Sequence, residues 1–157
     1  RLVAPRWAEL GRVSHTPGCP SSALGRRRFD LLSLATGELA MMILIAGPYR
    51  SGTNDDPKLI AANVHAMTEM ALRVFRAGHL PVMGEWYALP LIELAGSQRI
   101  GDEVFNEIFH PISRQLVERC DAVLRIGGPS SGADEMVSLA RQHGKAVYYR
   151  FEDLPEA

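Results

Sequence analysis

Short apolar runs alternate with amphipathic stretches along the chain from Met42 onward. The run Met42-Ile43-Leu44-Ile45-Ala46 is uninterrupted and ends at Gly47-Pro48, which is typical of a strand buried on both faces of a sheet. Similar runs predict strands at residues 80–83, 122–126 and 145–149. Because helical patterns separate these strands, they must be joined by crossover connections, which predicts a parallel sheet.

Four helical segments are predicted between or after the strands. The first has Asp56 as its cap and Pro57 at its first position, and it ends at Gly78. Its apolar face is predicted to contain Ile60, Val64, Met67, Ala71, Leu72 and Phe75. The other segments are residues 89–95, 102–120 and 131–143, and the second of these is expected to break at Pro111, near His110, because proline removes an amide hydrogen bond.

These elements predict the α/β class, with a single Rossmann-like (flavodoxin-like) domain over residues 42–157 and a mostly parallel sheet of about four to five strands flanked by helices. Residues 1–41 differ, with six Arg, three acidic residues, no Lys and no sustained periodicity. Because Met41-Met42 directly precedes the first strand, we expect residues 1–41 to be a disordered or non-native N-terminal extension. An Arg-rich transit peptide is the alternative.

Composition excludes several classes of protein. With 157 residues and 46% hydrophobic residues, one core is expected. A net charge of −1 gives no general attraction for a nucleic acid polymer. Cys19 and Cys120 lack the paired spacing of a metal site or a disulfide framework, so we expect a cytoplasmic protein without a metal ion. The longest apolar run is far shorter than the roughly 20 residues that span a membrane, so no membrane partner is expected.

Candidate chemistry lies in the loops after the strands, where parallel sheets bind ligands. The loop after the first strand contains Gly47, Arg50, Ser51 and Gly52. The glycines allow close backbone approach, and the Arg guanidinium suits a two-pronged phosphate contact. The alternative is a Gly-rich turn with a solvated Arg.

The loop after the second strand is Gly84-Glu85-Trp86-Tyr87. Trp86 or Tyr87 could stack on a nucleobase, and Glu85 could accept hydrogen bonds from a sugar or base. The alternative is that the aromatic residues serve the core or an interface.

The loop after the third strand is rich in Gly and Ser and opens a helix, which favours anion binding. Ser130, Ser131 and Gly132 supply hydroxyl and amide groups. Ser131 and Asp134 have the spacing of a capping box, which accounts for Asp134. Glu135 is not explained by the cap and could point into the cleft, or it could be a first-turn acid that the helix dipole favours.

These motifs resemble those of the nucleoside 2-deoxyribosyltransferase superfamily, which includes the 2′-deoxynucleoside 5′-phosphate N-hydrolases. The resemblance covers residues 42–149. It rests on the Gly47-to-Gly52 loop and, more specifically, on the ending that runs from Cys120-Asp121-Ala122-Val123 to Gly144-Lys145-Ala146-Val147.

The resemblance implies an N-glycosyl hydrolase or deoxyribosyltransferase that acts on a small (deoxy)nucleoside or nucleoside 5′-monophosphate, without a cofactor. Glu135 would be the nucleophile that attacks the sugar, which suits an ionised carboxylate beside an oxocarbenium-like transition state. Arg50 with Ser130 or Ser131 would bind phosphate, and Tyr49 would line the sugar. The resemblance also implies a homodimer or larger homo-oligomer.

The sequence departs from the family pattern at two places. Ser113 stands where family enzymes commonly have a second acid, so His110 is a candidate for proton transfer, although a lone His is more often structural. The loop between Ser130 and Glu135 is one residue shorter than in the hydrolases, which leaves Asp134 as an alternative nucleophile. A catalytically silent nucleotide-binding or sensing domain is therefore the alternative function.

Overall fold

A computed structural model describes residues 40–157 of the chain. The expectation for the N-terminal extension lies outside the described residues, except at its last two positions. The described part is an α/β fold in which a four-stranded parallel sheet is flanked by helices, which confirms the predicted fold class.

The sheet consists of strands β1 (Met42–Ala46), β2 (Leu80–Val82), β3 (Ala122–Arg125) and β4 (Ala146–Tyr148), in the order β2-β1-β3-β4. All neighbouring strands are parallel, and Ile43 on β1 pairs with Ala122 on β3. Pro81 lies on β2, which is an edge strand and pairs only with β1 within the described sheet. Proline cannot donate a backbone hydrogen bond, and an edge strand tolerates this because no strand pairs with its outer side. The predicted strands agree with the observed ones to within one residue at each end.

Helix α1 (Pro57–Arg76) begins as predicted, because the Asp56 side chain accepts a hydrogen bond from the Lys58 amide and Pro57 occupies the first turn. The buried residues of α1 are Ile60, Met67, Ala71 and Val74. The prediction that Leu72 and Phe75 belong to the buried face is wrong, since both side chains are about half exposed or more. Each follows a buried residue directly, and a step of about 100° per residue turns it toward solvent.

Two helices differ from their predicted extent. Helix α2 spans Gly84–Leu94, so Gly84-Glu85-Trp86-Tyr87 is its first turn rather than a loop, and the predicted start at residue 89 is wrong. The helix can start directly after the strand because Gly84 has no side chain and its Cα lies close to Ser113 of the next helix.

Helix α3 spans Glu103–Arg119 without interruption, so the predicted break near His110 is also wrong. Pro111 removes one internal amide bond. The helix continues because it is buried on both sides of the proline, by Phe105 before it and Val117 after it, and such packing supplies most of the stability of a helix in a protein. Helix α4 spans Ser131–Gln142, and a short 3-10 turn follows at Phe151–Asp153.

The alternation of side chains along β1 divides the core into two layers. Ile43 and Ile45 pack with α1 on one face of the sheet. Leu44 and Ala46 pack with α3 and α4 on the other face. The connection from β1 to β2 and the connection from β3 to β4 therefore cross opposite faces of the sheet, and the loops that leave the adjacent strands β1 and β3 separate. A crevice opens at this point of the sheet edge.

A contact between these two loops sets the geometry of the crevice. Gly127, which follows β3, has a φ of +74°, and a Cβ atom placed on it would lie 2.7 Å from Pro48 Cδ in the loop after β1. A larger residue at this position would therefore strain its own backbone and displace the Pro48 ring.

We predict that Gly127→Ala lowers the free energy of unfolding by about 1–3 kcal/mol, the usual cost of a forced left-handed backbone. The matched control is Gly128→Ala, because nothing lies within 4 Å of a Cβ atom at Gly128. Urea unfolding of the two variants measures the difference. Equal stability of the two variants would contradict this account of the loop contact.

Candidate active site

A cavity of about 550 Å³ lies at the carboxyl end of β1, beside the start of α4. Its walls come from the loop after β1, the first turn of α2, the middle of α3 and the first turn of α4. Most of the sequence-predicted site residues line it: Gly47, Tyr49, Arg50, Ser51, Gly52, Glu85, His110, Ser130, Ser131, Gly132 and Glu135. Three segments that are far apart in sequence therefore meet at one cavity.

Trp86 and Tyr87 are not among the lining residues of this cavity. Both side chains are about half exposed, because they follow Glu85 in the same helical turn and leave the helix in other directions. Their predicted contact with a base stays a prediction.

Asp134 does not line the cavity either, and it serves a buried cation instead. Arg125 Nε donates to Asp134 Oδ1 at 2.9 Å, and the same guanidinium donates to the carbonyl oxygens of Ile126 and Gly128. The predicted capping box of Ser131 and Asp134 is wrong, because the cap of α4 is Ser130, whose hydroxyl accepts from the Ala133 amide at 3.3 Å. Asp134 therefore holds the β3 loop to α4.

Glu135 projects from the first turn of α4 toward α3. Arg114 donates to Glu135 Oε1 at 2.7 Å, and His110 Nδ1 lies 4.0 Å from Glu135 Oε2. His110 and Arg114 are one helical turn apart, so they share a face of α3. The sequence reasoning missed Arg114, although this spacing from His110 was a usable signal. The pairing of Arg114 with Oε1 orients the carboxylate, and among residues 40–157 the basic side chain beside Oε2 is that of His110.

Arg50 is engaged by its own loop. Its guanidinium forms a two-pronged hydrogen bond with the carboxylate of Asp55, with Nη2 to Oδ2 at 2.6 Å and a second contact from Nε to Oδ1. Hydrogen bonding to Arg50 lowers the pKa of Asp55. Asn54 and Asp55 have φ values of 48° and 62°, and this left-handed turn brings Asp55 back toward Arg50. The sequence reasoning missed Asp55, because nothing in the sequence predicts the turn.

Glu85 is the most secluded carboxyl group of the cavity. Its residue is 7% exposed, and burial raises its pKa to about 7. Burial also raises the pKa of Tyr49 to about 12, with a further contribution from the negative charge of Glu85. Both residues line the cavity.

Three aromatic rings form one wall of the cavity: Tyr49, Phe105 and Phe109. The Phe105 and Phe109 ring centroids are 5.0 Å apart at an angle of 18°, and Tyr49 stacks on both rings. The two phenylalanines were missed because their spacing of four residues is also that of ordinary core positions on a helix. The wall offers a flat apolar surface to a ring-shaped ligand.

No protein-family model matches this chain, and no curated protein resembles it significantly. Within residues 40–157, no group of three or more His, Cys, Asp or Glu side chains is arranged to hold a metal ion. None of the helices in the described part is long and apolar enough to cross a membrane.

The burial of Glu85 makes stability depend on pH. The folded-state pKa of about 7 exceeds the ordinary value of 4.5. Below pH 4.5 the Glu85 carboxyl group is protonated in both the folded and the unfolded state. Between pH 4.5 and about pH 7 it ionises only in the unfolded state, so the free energy of unfolding falls as pH rises. Above the folded-state pKa the free energy of unfolding has fallen by its full amount, about 3 kcal/mol.

We therefore predict that the stability of Glu85→Gln relative to the wild type increases with pH, by about 3 kcal/mol on going from pH 4 to pH 8. Chemical unfolding at both pH values measures this gain. The control is Glu93→Gln, an exposed glutamate of the same helix, for which no such pH-dependent gain is expected. A constant difference between Glu85→Gln and the wild type would contradict the assignment of a raised pKa.

Proposed function

We propose that this protein is an N-glycosyl hydrolase or deoxyribosyltransferase that acts on a small (deoxy)nucleoside or nucleoside 5′-monophosphate, as a relative of the nucleoside 2-deoxyribosyltransferase superfamily. One observation carries the proposal. The Glu135 carboxylate, the Arg50 guanidinium and the amino terminus of α4 line the same cavity. An anionic nucleophile and a phosphate-binding cation are thus available to one bound sugar phosphate.

Glu135 is the nucleophile in this proposal. Its free oxygen forms a bond to the anomeric carbon of the sugar while the bond from that carbon to the base nitrogen breaks, and the base leaves with a proton. Water or a second base then displaces Glu135 from the glycosyl-enzyme intermediate. Arg114 orients the carboxylate through its hydrogen bond to Oε1.

The phosphate is bound where α4 begins. The first amide groups of a helix have no internal partner, and the helix dipole favours an anion there. Ser131 and Gly132 provide these amides, and both line the cavity. Arg50 joins them by exchanging its Asp55 partner for the phosphate, which carries more negative charge.

The aromatic wall of Tyr49, Phe105 and Phe109 receives the flat face of the base or the apolar face of the sugar. Glu85 lines the same cavity as this wall. A polar group thus stands next to the stacking surface, as is common in ligand pockets.

A catalytically silent nucleotide-binding domain is the second candidate. A specific observation favours it, since both charged groups assigned to the reaction are already in ion pairs, Arg50 with Asp55 and Glu135 with Arg114. Thermal stabilisation by nucleotides without release of free base would support this candidate.

The family resemblance also leads us to propose a homodimer or larger homo-oligomer. The exposed residues Trp86, Tyr87 and Leu91 on α2 are candidate contacts.

We predict that Glu135→Gln abolishes release of free base from nucleoside 5′-monophosphates, because an amide oxygen is a poor nucleophile, while nucleotide binding stays within about threefold. Chromatography of the products and calorimetry of binding measure the two quantities. The control is Glu118→Gln, which alters an exposed glutamate of α3 outside the cavity. Full activity of Glu135→Gln would eliminate the assignment, and loss of activity in Asp134→Asn alone would transfer the role to Asp134.

We also predict that Arg50→Ala raises KM for nucleoside 5′-monophosphates by about 10–100-fold, the usual loss for hydrogen bonds to a charged group. KM for the corresponding nucleosides should stay within about twofold, because they lack the phosphate. Steady-state kinetics with the two substrate classes measures this. Arg99→Ala, at an exposed position outside the cavity, is the control. An equal effect of Arg50→Ala on both classes would contradict phosphate binding by Arg50.

A further inference from the structure

A second carboxyl group of the cavity, Glu85, has no part in the mechanism above. It is buried at the first turn of α2 and lines the same cavity as Glu135, which lies on α4. No Arg, Lys or His in the described part of the chain forms an ion pair with it. Because burial of an unpaired charge is unfavourable, this seclusion favours the protonated form of the group.

We propose that Glu85 is the catalytic residue that gives the departing base its proton and later accepts a proton from the attacking water. This inference rests on the proposed N-glycosyl transfer and deepens it. It assigns the two carboxyl groups of the cavity to two different tasks.

The surroundings of the two glutamates differ in the way the two tasks require. Glu135 is 38% exposed in its side chain and accepts a hydrogen bond from Arg114, so its carboxylate is reached by water and held in place by a cation. Glu85 has a pKa of about 7 because of its burial, so a large share of the group holds a proton at neutral pH. Pairs of carboxyl groups whose environments separate their pKa values commonly divide into nucleophile and proton donor.

The packing between α2 and α3 explains why this acid comes from α2. A Cβ atom at Gly84 would lie 2.8 Å from Ser113 Oγ, so the two helices touch directly beside Glu85. Ser113 is itself buried and lines the cavity. A longer side chain at position 113 has no free space on this side, and of the carboxyl groups that line the cavity, Asp55 is paired with Arg50 and Glu135 with Arg114, which leaves Glu85.

The proton balance of the reaction closes with these two residues. In the first step the Glu85 carboxylic acid transfers its proton to a ring nitrogen of the base, the bond from the anomeric carbon to the base breaks, and a Glu135 oxygen bonds to that carbon. In the second step water attacks the same carbon, Glu135 departs as a carboxylate, and the Glu85 carboxylate accepts the proton of the water. The other titratable or charged groups that line the cavity are Tyr49, Arg50, Asp55 and His110.

The test compares two leaving groups in Glu85→Gln. A purine deoxynucleoside 5′-monophosphate needs a proton on its leaving base, whereas 4-nitrophenyl 2-deoxyriboside 5-phosphate releases a stable anion that needs none. We expect kcat for the nucleotide to fall by about 10²–10⁴-fold and kcat for the nitrophenyl compound to stay within about fivefold. The decrease in the wild-type nucleotide rate as pH rises past about 7 should also disappear in the variant.

Glu93→Gln, on the exposed side of the same helix, is the control and should match the wild type in both substrates. If Glu85→Gln is unfolded in a thermal scan, Glu85→Asp takes its place, and it should keep the pH-dependent decrease while losing rate through its shorter reach.

Three outcomes would overturn the inference. Equal loss for both leaving groups, or a change in KM alone, would assign Glu85 to positioning or to recognition of the base. An unchanged pH profile in an active Glu85→Gln enzyme would remove Glu85 from proton transfer while Glu135 and the proposed function stand. A wild-type protein that releases no base from either substrate would overturn the proposed function together with this inference.

Discussion

The constraint on which the site depends is the reversal of strand order between β1 and β3, because the chain continues from β1 to one edge of the sheet and from β3 to the other. These strands are neighbours, yet α1 packs on one face of the sheet and α4 on the other. Their outgoing loops therefore separate, and a crevice remains between them at the sheet edge. The contact of Gly127 with Pro48 fixes how closely the loops approach. Every candidate group of the cavity is positioned relative to this opening.

The two roles that we propose for the glutamates of the crevice depend on how differently water reaches their side chains. Each one lies in the first turn of a helix, Glu85 on α2 and Glu135 on α4. Glu135 is partly exposed and hydrogen-bonded to Arg114. Glu85 is buried, which raises its pKa and favours the neutral acid. The same side chain can thus supply an anion and a proton at neutral pH, because the helices around it set its hydration.

The sequence predicted the features that depend on local patterns. The strand Met42–Ala46, the Asp56 cap and the site segments after β1 and at the start of α4 follow from apolar runs, capping residues and glycines. The segment after β2 was predicted as a loop but is the first turn of α2. Features that depend on tertiary contacts were missed. The Arg114–Glu135 pair joins two helices, and the Arg125–Asp134 pair joins a strand to a helix. Helix α3 continues through Pro111 because packing outweighs one lost hydrogen bond, which a local pattern does not reveal.

The central claim is that Glu135 forms a covalent bond with the sugar inside this cavity. A 2-fluoro-2-deoxyarabinosyl nucleotide tests it, because the fluorine slows breakdown of a glycosyl-enzyme intermediate and allows the adduct to accumulate. Mass spectrometry of the digested protein should find the fluorosugar phosphate on the peptide that contains Glu135, at that carboxylate. Release of base without any adduct, or an adduct on another residue, would contradict the account.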